Sequence, residues 1–250
     1  MAERFTHPGL SARTIEIKGH KGETINAYLA RPEGDGPFPA VIVAHHMPGW
    51  DEWCTEVTRR FAHHGYLAID PNLHYRQGPG TPAEASSKVR DEGGQNDEAV
   101  LGDLQGALDY LRSLPEATGK VGIIGFCSGG RVAYMAGCNI AVDAAVDCWG
   151  GNVIPTPDRI NHQQPVPVVS MTANLSCPLL GLFGNDDANP DPAQVNAIEA
   201  ELKKHGKTYE FHRYDGAAHA FFAWERPSHR PEQAADGWSK VWAFYDKYLR

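Results

Sequence analysis

The chain predicts a mostly parallel, doubly wound α/β sheet with helices on both faces. Three observations carry that reading. Short, continuous apolar runs recur along the chain, helical segments separate them, and no internal repeat or low-complexity stretch interrupts the alternation. Strands buried on both faces read as unbroken apolar runs rather than as alternating ones. A length of 250 residues fits one large α/β domain covering residues 1–250. With 42% hydrophobic and 22% charged residues, the composition suits a fully formed core.

Taken in order, residues 13–18 and 25–31 read as strands, with Gly19-His20-Lys21-Gly22 as a hairpin turn between them. Gly34-Asp35-Gly36-Pro37 is a loop, and residues 39–44 form a buried strand ending in His45-His46-Met47-Pro48-Gly49-Trp50. Residues 52–64 read as an amphipathic helix closed by Gly65, and residues 66–69 as another buried strand. A long irregular stretch through Tyr75, Pro79 and Pro82 follows. Residues 96–114 carry Val100, Leu101, Leu104, Leu108 and Leu111 at helical spacing, and Pro115 ends them. Residues 121–124 form a strand, 132–136 belong to a helix, and 141–148 form a strand. Residues 150–176 read as a loop over a site. Strands at 177–183 and 208–214 and helices at 192–205 and 237–249 complete the pattern.

Net charge is −8, from 23 basic and 31 acidic residues, with no basic run, which argues against phosphate-driven nucleic-acid binding. Five cysteines, Cys54, Cys127, Cys138, Cys148 and Cys177, are odd in number and widely spaced, unlike a disulfide framework or a thiolate zinc site. His45-His46 and His63-His64 make no chelate by themselves, because adjacent side chains diverge on a strand or a helix, so no metal is expected. No apolar run approaches membrane-spanning length, and the first residues, Met-Ala-Glu-Arg-Phe-Thr-His-Pro, lack an apolar signal core. The expectation is a reduced, cytoplasmic protein, monomer or homodimer, with no membrane or nucleic-acid partner.

The chemistry centres on Gly125-Phe126-Cys127-Ser128-Gly129-Gly130. A strand that turns sharply into a helix tolerates little bulk beside the turn, and Gly125 and Gly129 leave the room. This is the nucleophile-elbow pattern Gly-x-Ser-x-Gly with cysteine at its centre. Centring it on Ser128 would put Phe126 where a small residue must be, so the apex is Cys127. The motif alone is equally consistent with a buried, inert thiol. A base and an orienting acid must follow.

They follow in the order nucleophile, acid, histidine found in α/β-hydrolases. Gly184-Asn185-Asp186-Asp187 succeeds one late strand, and Asp215-Gly216-Ala217-Ala218-His219 the next. His219 is the expected base. Asp187 is chosen as the acid, with Asp186 as the alternative. The oxyanion hole is expected from the Ser128 amide and an amide of the loop at residues 45–49. Met47 is preferred there because Pro48 has no N–H. A helix N-terminus beneath Cys127 would lower its thiol pKa. Trp149 and Phe222 are candidates to line an acyl pocket, and His45 or His46 is expected to face the site.

These residues resemble the dienelactone hydrolase family of carboxymethylenebutenolidase-like α/β-hydrolases. Gly119-Lys120-Val121-Gly122-Ile123-Ile124-Gly125-Phe126-Cys127-Ser128-Gly129-Gly130 carries the resemblance, with Asn72-Leu73-His74-Tyr75-Arg76-Gln77-Gly78-Pro79-Gly80 and Gly216-Ala217-Ala218-His219-Ala220-Phe221. It runs from about residue 14 to the C-terminus. It implies the α/β-hydrolase fold, a Cys127–Asp187–His219 triad, an oxyanion hole from Met47 and Ser128, and cofactor-free hydrolysis of a small ester or lactone through a thioester. Two positions depart from it. The first loop has His46 where the best-known members carry a glutamate, and Ala223 stands four residues after the histidine, where they carry an arginine. Arg76, in a matched loop, is the remaining candidate for the substrate carboxylate, and His46 is carried as a candidate substrate contact. A general carboxylesterase and a non-catalytic binding protein of the same fold are the competing readings.

Overall fold

The computed structural model describes residues 9–250, so the reading of residues 1–8 as lacking a signal core lies outside the described residues. Eight strands form one sheet in the order β1-β2-β4-β3-β5-β6-β7-β8. They are β1 (Leu10–Lys18), β2 (Thr24–Pro32), β3 (Phe38–Ala44), β4 (Leu67–Pro71), β5 (Ala117–Phe126), β6 (Ala144–Cys148), β7 (Leu179–Gly184) and β8 (Tyr209–Tyr214). β2 runs antiparallel to both β1 and β4, and every pairing from β4 through β8 is parallel. The α/β-hydrolase fold expected from the sequence is therefore present.

Helices cover both faces because successive side chains of a strand point to opposite sides. On β3, Ala40, Ile42 and Ala44 join a core containing Leu104, Leu108, Val132 and Ile198, from α3 (Asp97–Ser113), α4 (Ser128–Asn139) and α5 (Pro192–Lys204). Val41 and Val43 join the opposite core, with Trp53 and Phe61 of α1 (Glu52–His63) and Trp238 and Val241 of α6 (Pro231–Leu249). The central strand is thus covered twice, as its unbroken apolar run requires.

Two elements differ from the sequence reading. Residues 82–91, expected to be irregular, form helix α2 (Pro82–Asp91). Only Ser86 and Val89 of it are buried, so it carries almost no apolar stripe. Its start is marked instead by a capping box between Thr81 and Glu84 and by Pro82 in the first turn. Similarly, α6 begins at Pro231 rather than near residue 237, again with proline in its first turn. The loop at 150–176 is largely irregular as expected, with 3₁₀ turns at Pro157–Arg159 and Val168–Asn174. No helix among the described residues is long and apolar enough to cross a membrane.

Candidate active site

Cys127 sits between the end of β5 and the start of α4 with φ 57° and ψ −121°. A non-glycine residue held there stores about 1–3 kcal/mol of backbone strain. Close packing explains why the turn permits nothing larger around it. A Cβ added to Gly125 would lie 1.8 Å from the Gly129 carbonyl oxygen, and one on Gly129 would lie 2.1 Å from the Ala44 carbonyl oxygen. The Cys127 amide donates to the Cys148 carbonyl at 3.1 Å, and the Gly130 amide returns to the Cys127 carbonyl at 2.9 Å. The turn is pinned to β6 on one side and to its own helix on the other.

His219 lies on the loop after β8, and its Nδ1 meets Asp187 Oδ2 at 2.8 Å. Asp187, on the loop after β7, is 6% exposed, and its other oxygen accepts the Asn189 amide at 2.9 Å. The carboxylate facing His219 is thus that of Asp187. Asp186 takes no part, and its amide binds the Ala217 carbonyl at 2.9 Å instead.

Burial pushes the Cys127 thiol up, but a hydrogen bond with His219, that group's charge and the amides of Ser128 and Met47 outweigh it, leaving the thiol below its ordinary 9.0. Burial likewise lowers His219, yet hydrogen bonds to Asp187 and Cys127 push it up to about 10. The contact between the two groups lowers the thiol and raises the imidazole, and the Ser128 and Met47 amides add to the first effect.

The same residues open onto a cavity of about 630 Å³ lined by Met47, Cys127, Ser128, Asp187 and His219. The loop after β6, expected over the site, brings Asn152, Arg159, Asn161 and Gln164 to the cavity wall, and Asn189 and Arg90 of α2, which were not foreseen, join them. Arg131 also lines the cavity, but its guanidinium is bound by Asp97 at 2.7 and 2.8 Å. The guanidiniums of Arg90 and Arg159 make no ion pair or hydrogen bond among the described residues, and they line the cavity together with the carboxylate of Asp158.

Four expected substrate contacts fall elsewhere. Arg76 is spent on Asp103, at 2.7 and 2.9 Å, and on Glu23, in a separate hollow. Phe222 is buried between Trp149 and Trp238, facing α6. Trp149 lies behind His219, with ring centroids 6.4 Å apart, as part of the floor and not of the lining. His46 turns away from the cavity, bonding Asp51 at 2.7 Å and stacking on Trp53 at 5.3 Å. Sequence fixes where each of these residues stands in the chain, but not which way its side chain points.

One group of possible metal ligands exists among the described residues: atoms of His46, Asp51 and Cys54 lie within 4.8 Å of one another. Each is already committed. Asp51 Oδ2 holds His46, its Oδ1 caps α1 at the Cys54 amide, and the Cys54 thiol is fully buried. The trio reads as a loop anchor.

Comparison with known proteins identifies a family. The profile described as Dienelactone hydrolase family matches residues 25–249. A protein of Methylorubrum extorquens named "Putative carboxymethylenebutenolidase" is 35% identical over 96% of this chain and 82% of its own length. One of the same name from Synechocystis sp. is 33% identical over 90% of this chain and 93% of its own. A crystal structure from Klebsiella pneumoniae, described as "Putative Dienelactone Hydrolase", superposes with a TM-score of 0.86 at 31% identity, covering 96% of this chain and all of that one.

Proposed function

The chain belongs to the dienelactone hydrolase family, and we propose that it hydrolyses a small carboxylic ester or lactone, without a cofactor, through a thioester on Cys127. The observation that carries this reading is the Cys127 thiol set between the His219–Asp187 pair and the amides of Ser128 and Met47.

In the proposed cycle the Cys127 thiolate attacks the carbonyl carbon, and the π-electron pair moves to the oxygen. That oxygen is received by the Ser128 and Met47 amides. As the intermediate collapses, the C–O bond breaks and His219 gives its proton to the departing oxygen. Water then enters, His219 takes one of its protons, and the hydroxide attacks the thioester. The second intermediate expels the thiolate and releases the acid. Asp187 holds His219 in one tautomer throughout. Thiolate is expelled readily from such intermediates, so enol lactones and activated esters suit the site and amides do not.

The free guanidiniums of Arg90 and Arg159 on the opposite wall favour a substrate carrying negative charge on its acid part. The Cys127→Ala variant tests the mechanism. Hydrolysis of p-nitrophenyl acetate should fall by about 10⁴-fold or more, as when the nucleophile of a triad is removed. Near-normal turnover in that variant would rule the mechanism out. The same experiment separates the enzyme from a binding protein of the same fold, since the wild type must turn over.

A further inference from the structure

The amide of Met47 can receive an oxyanion only if the peptide group joining His46 to Met47 keeps one orientation. That peptide is trans, as are all the described peptide bonds except Gly36–Pro37 and Asn189–Pro190, so its C=O and N–H point in opposite directions. The His46 carbonyl oxygen is held by two donors, the Gly49 amide at 3.0 Å and His45 Nδ1 at 2.9 Å. With the oxygen fixed on that side, the Met47 N–H faces Cys127.

The partners of His45 also fix its tautomer. A carbonyl only accepts, so Nδ1 carries the proton. Nε2 accepts the Leu73 amide at 3.0 Å, so Nε2 is bare. The ring is fully buried and meets His74 edge-on, with centroids 4.6 Å apart. Burial, then the neighbouring His74, hold its pKa well below the ordinary 6.5, so it stays in this neutral form. A second brace acts on the next peptide, where Ser86 Oγ donates to the Met47 carbonyl at 2.6 Å.

We propose that His45 is a positioning residue for the oxyanion hole, its Nδ1–H locking the His46–Met47 peptide so that the Met47 amide points at the reacting carbonyl oxygen. This rests on the thioester mechanism above and names a residue that acts only through another.

Two substitutions separate the two nitrogens of the ring. Asparagine places its amide near Nδ1 and can still donate to the His46 carbonyl. Glutamine reaches the Nε2 position and keeps only the Leu73 bond. His45→Gln should lower kcat for p-nitrophenyl acetate by about tenfold to a hundredfold, short of or equal to the loss of one oxyanion donor, with KM changed by less than about threefold. His45→Asn should retain kcat within about threefold. Alkylation of Cys127 by iodoacetamide, which forms no oxyanion, should stay within about threefold of wild type in His45→Asn. It should fall by less than kcat does in His45→Gln, where only the share of the thiolate's stabilisation that comes from the Met47 amide is loosened. Wild-type kcat in folded His45→Gln overturns the proposal, as does a loss of about tenfold or more in folded His45→Asn. Each variant is decisive alone if the other does not fold. Failure of the underlying mechanism is read separately, from Cys127→Ala and from slow alkylation of wild-type Cys127.

Discussion

The molecule holds two sets of cysteine, histidine and aspartate, and only one of them lines the large cavity. Cys127, His219 and Asp187 include a His–Asp contact of 2.8 Å; His46 and Asp51, beside Cys54, make one of 2.7 Å. Residue types and pair geometry are nearly the same, yet the two thiols move in opposite directions. Cys127 falls below its ordinary pKa because His219 and two amides face the sulfur and together outweigh burial. Cys54 rises well above its own, first through full burial and then through the charges of Asp70 and Asp51. Burial opposes ionisation of both sulfurs, and each has a backbone amide partner. The difference in direction therefore comes from the His219 ring beside Cys127 against the fuller burial of Cys54 and the carboxylates of Asp70 and Asp51 beside it.

The sharpest way to break this contrast is to remove each sulfur. Against the loss of about 10⁴-fold or more expected from Cys127→Ala, Cys54→Ala should leave activity within about threefold, since its sulfur lies outside the catalytic cavity. Next come the acids. Asp187→Asn should cost about 10²- to 10⁴-fold in kcat by releasing the His219 tautomer. Asp186→Asn, whose carboxylate does not reach His219, should cost less than about threefold. If Asp186→Asn proves the crippling change, the acid has been assigned wrongly.

Alkylation reads the same comparison on the thiols themselves. Near neutral pH, iodoacetamide should modify Cys127 at least about tenfold faster than any other cysteine. The lowered thiol gains its thiolate as pH rises through a value under 9.0 and is fully reactive above it. In His219→Asn the hydrogen bond and the charge that lower it are gone, so the profile should shift to higher pH. An unshifted profile would mean that the amides alone activate the sulfur.

Much of this was legible in the chain. Gly125, Gly129 and the apolar run before them specify the elbow, because a sharp turn against a neighbouring strand admits no Cβ there. The order of Cys127, Asp187 and His219 needs only strand ends, which apolar runs locate well. The absence of an N–H on Pro48 singles out Met47. Side-chain direction was not legible. Arg76, carried from a loop matched by the resemblance, and Phe222, close to His219 in sequence, point elsewhere, while Arg90 and Arg159 reach the cavity from a helix and a loop with no apolar period to announce them. His45 was weighed for the site, but its use as a backbone brace depends on a hydrogen bond to the next residue's carbonyl, which no spacing encodes.

The smallest effect is at Asp51, and it tests whether the second set is only structural. Its Oδ1 accepts the Cys54 amide at 3.1 Å as the N-cap of α1, and its Oδ2 binds His46. Asp51→Ala should lower the unfolding free energy by about 1–2 kcal/mol through the lost cap. Asp51→Asn, an equally good cap, should lower it by less. Burial raises the Asp51 carboxyl, but the hydrogen bond to His46 and that ring's charge leave it below its ordinary 3.8. A group depressed in the folded state stabilises above its unfolded pKa and loses that contribution as pH falls through the folded one. The gap between wild type and Asp51→Asn in urea unfolding should therefore be full near neutral pH and close only below about pH 4, near the ordinary carboxyl value. Turnover should stay within about threefold in both variants. A loss in Asp51→Ala as deep as that in Asp187→Asn would mean that the second set reaches the chemistry, through His46 and the Met47 amide beside it.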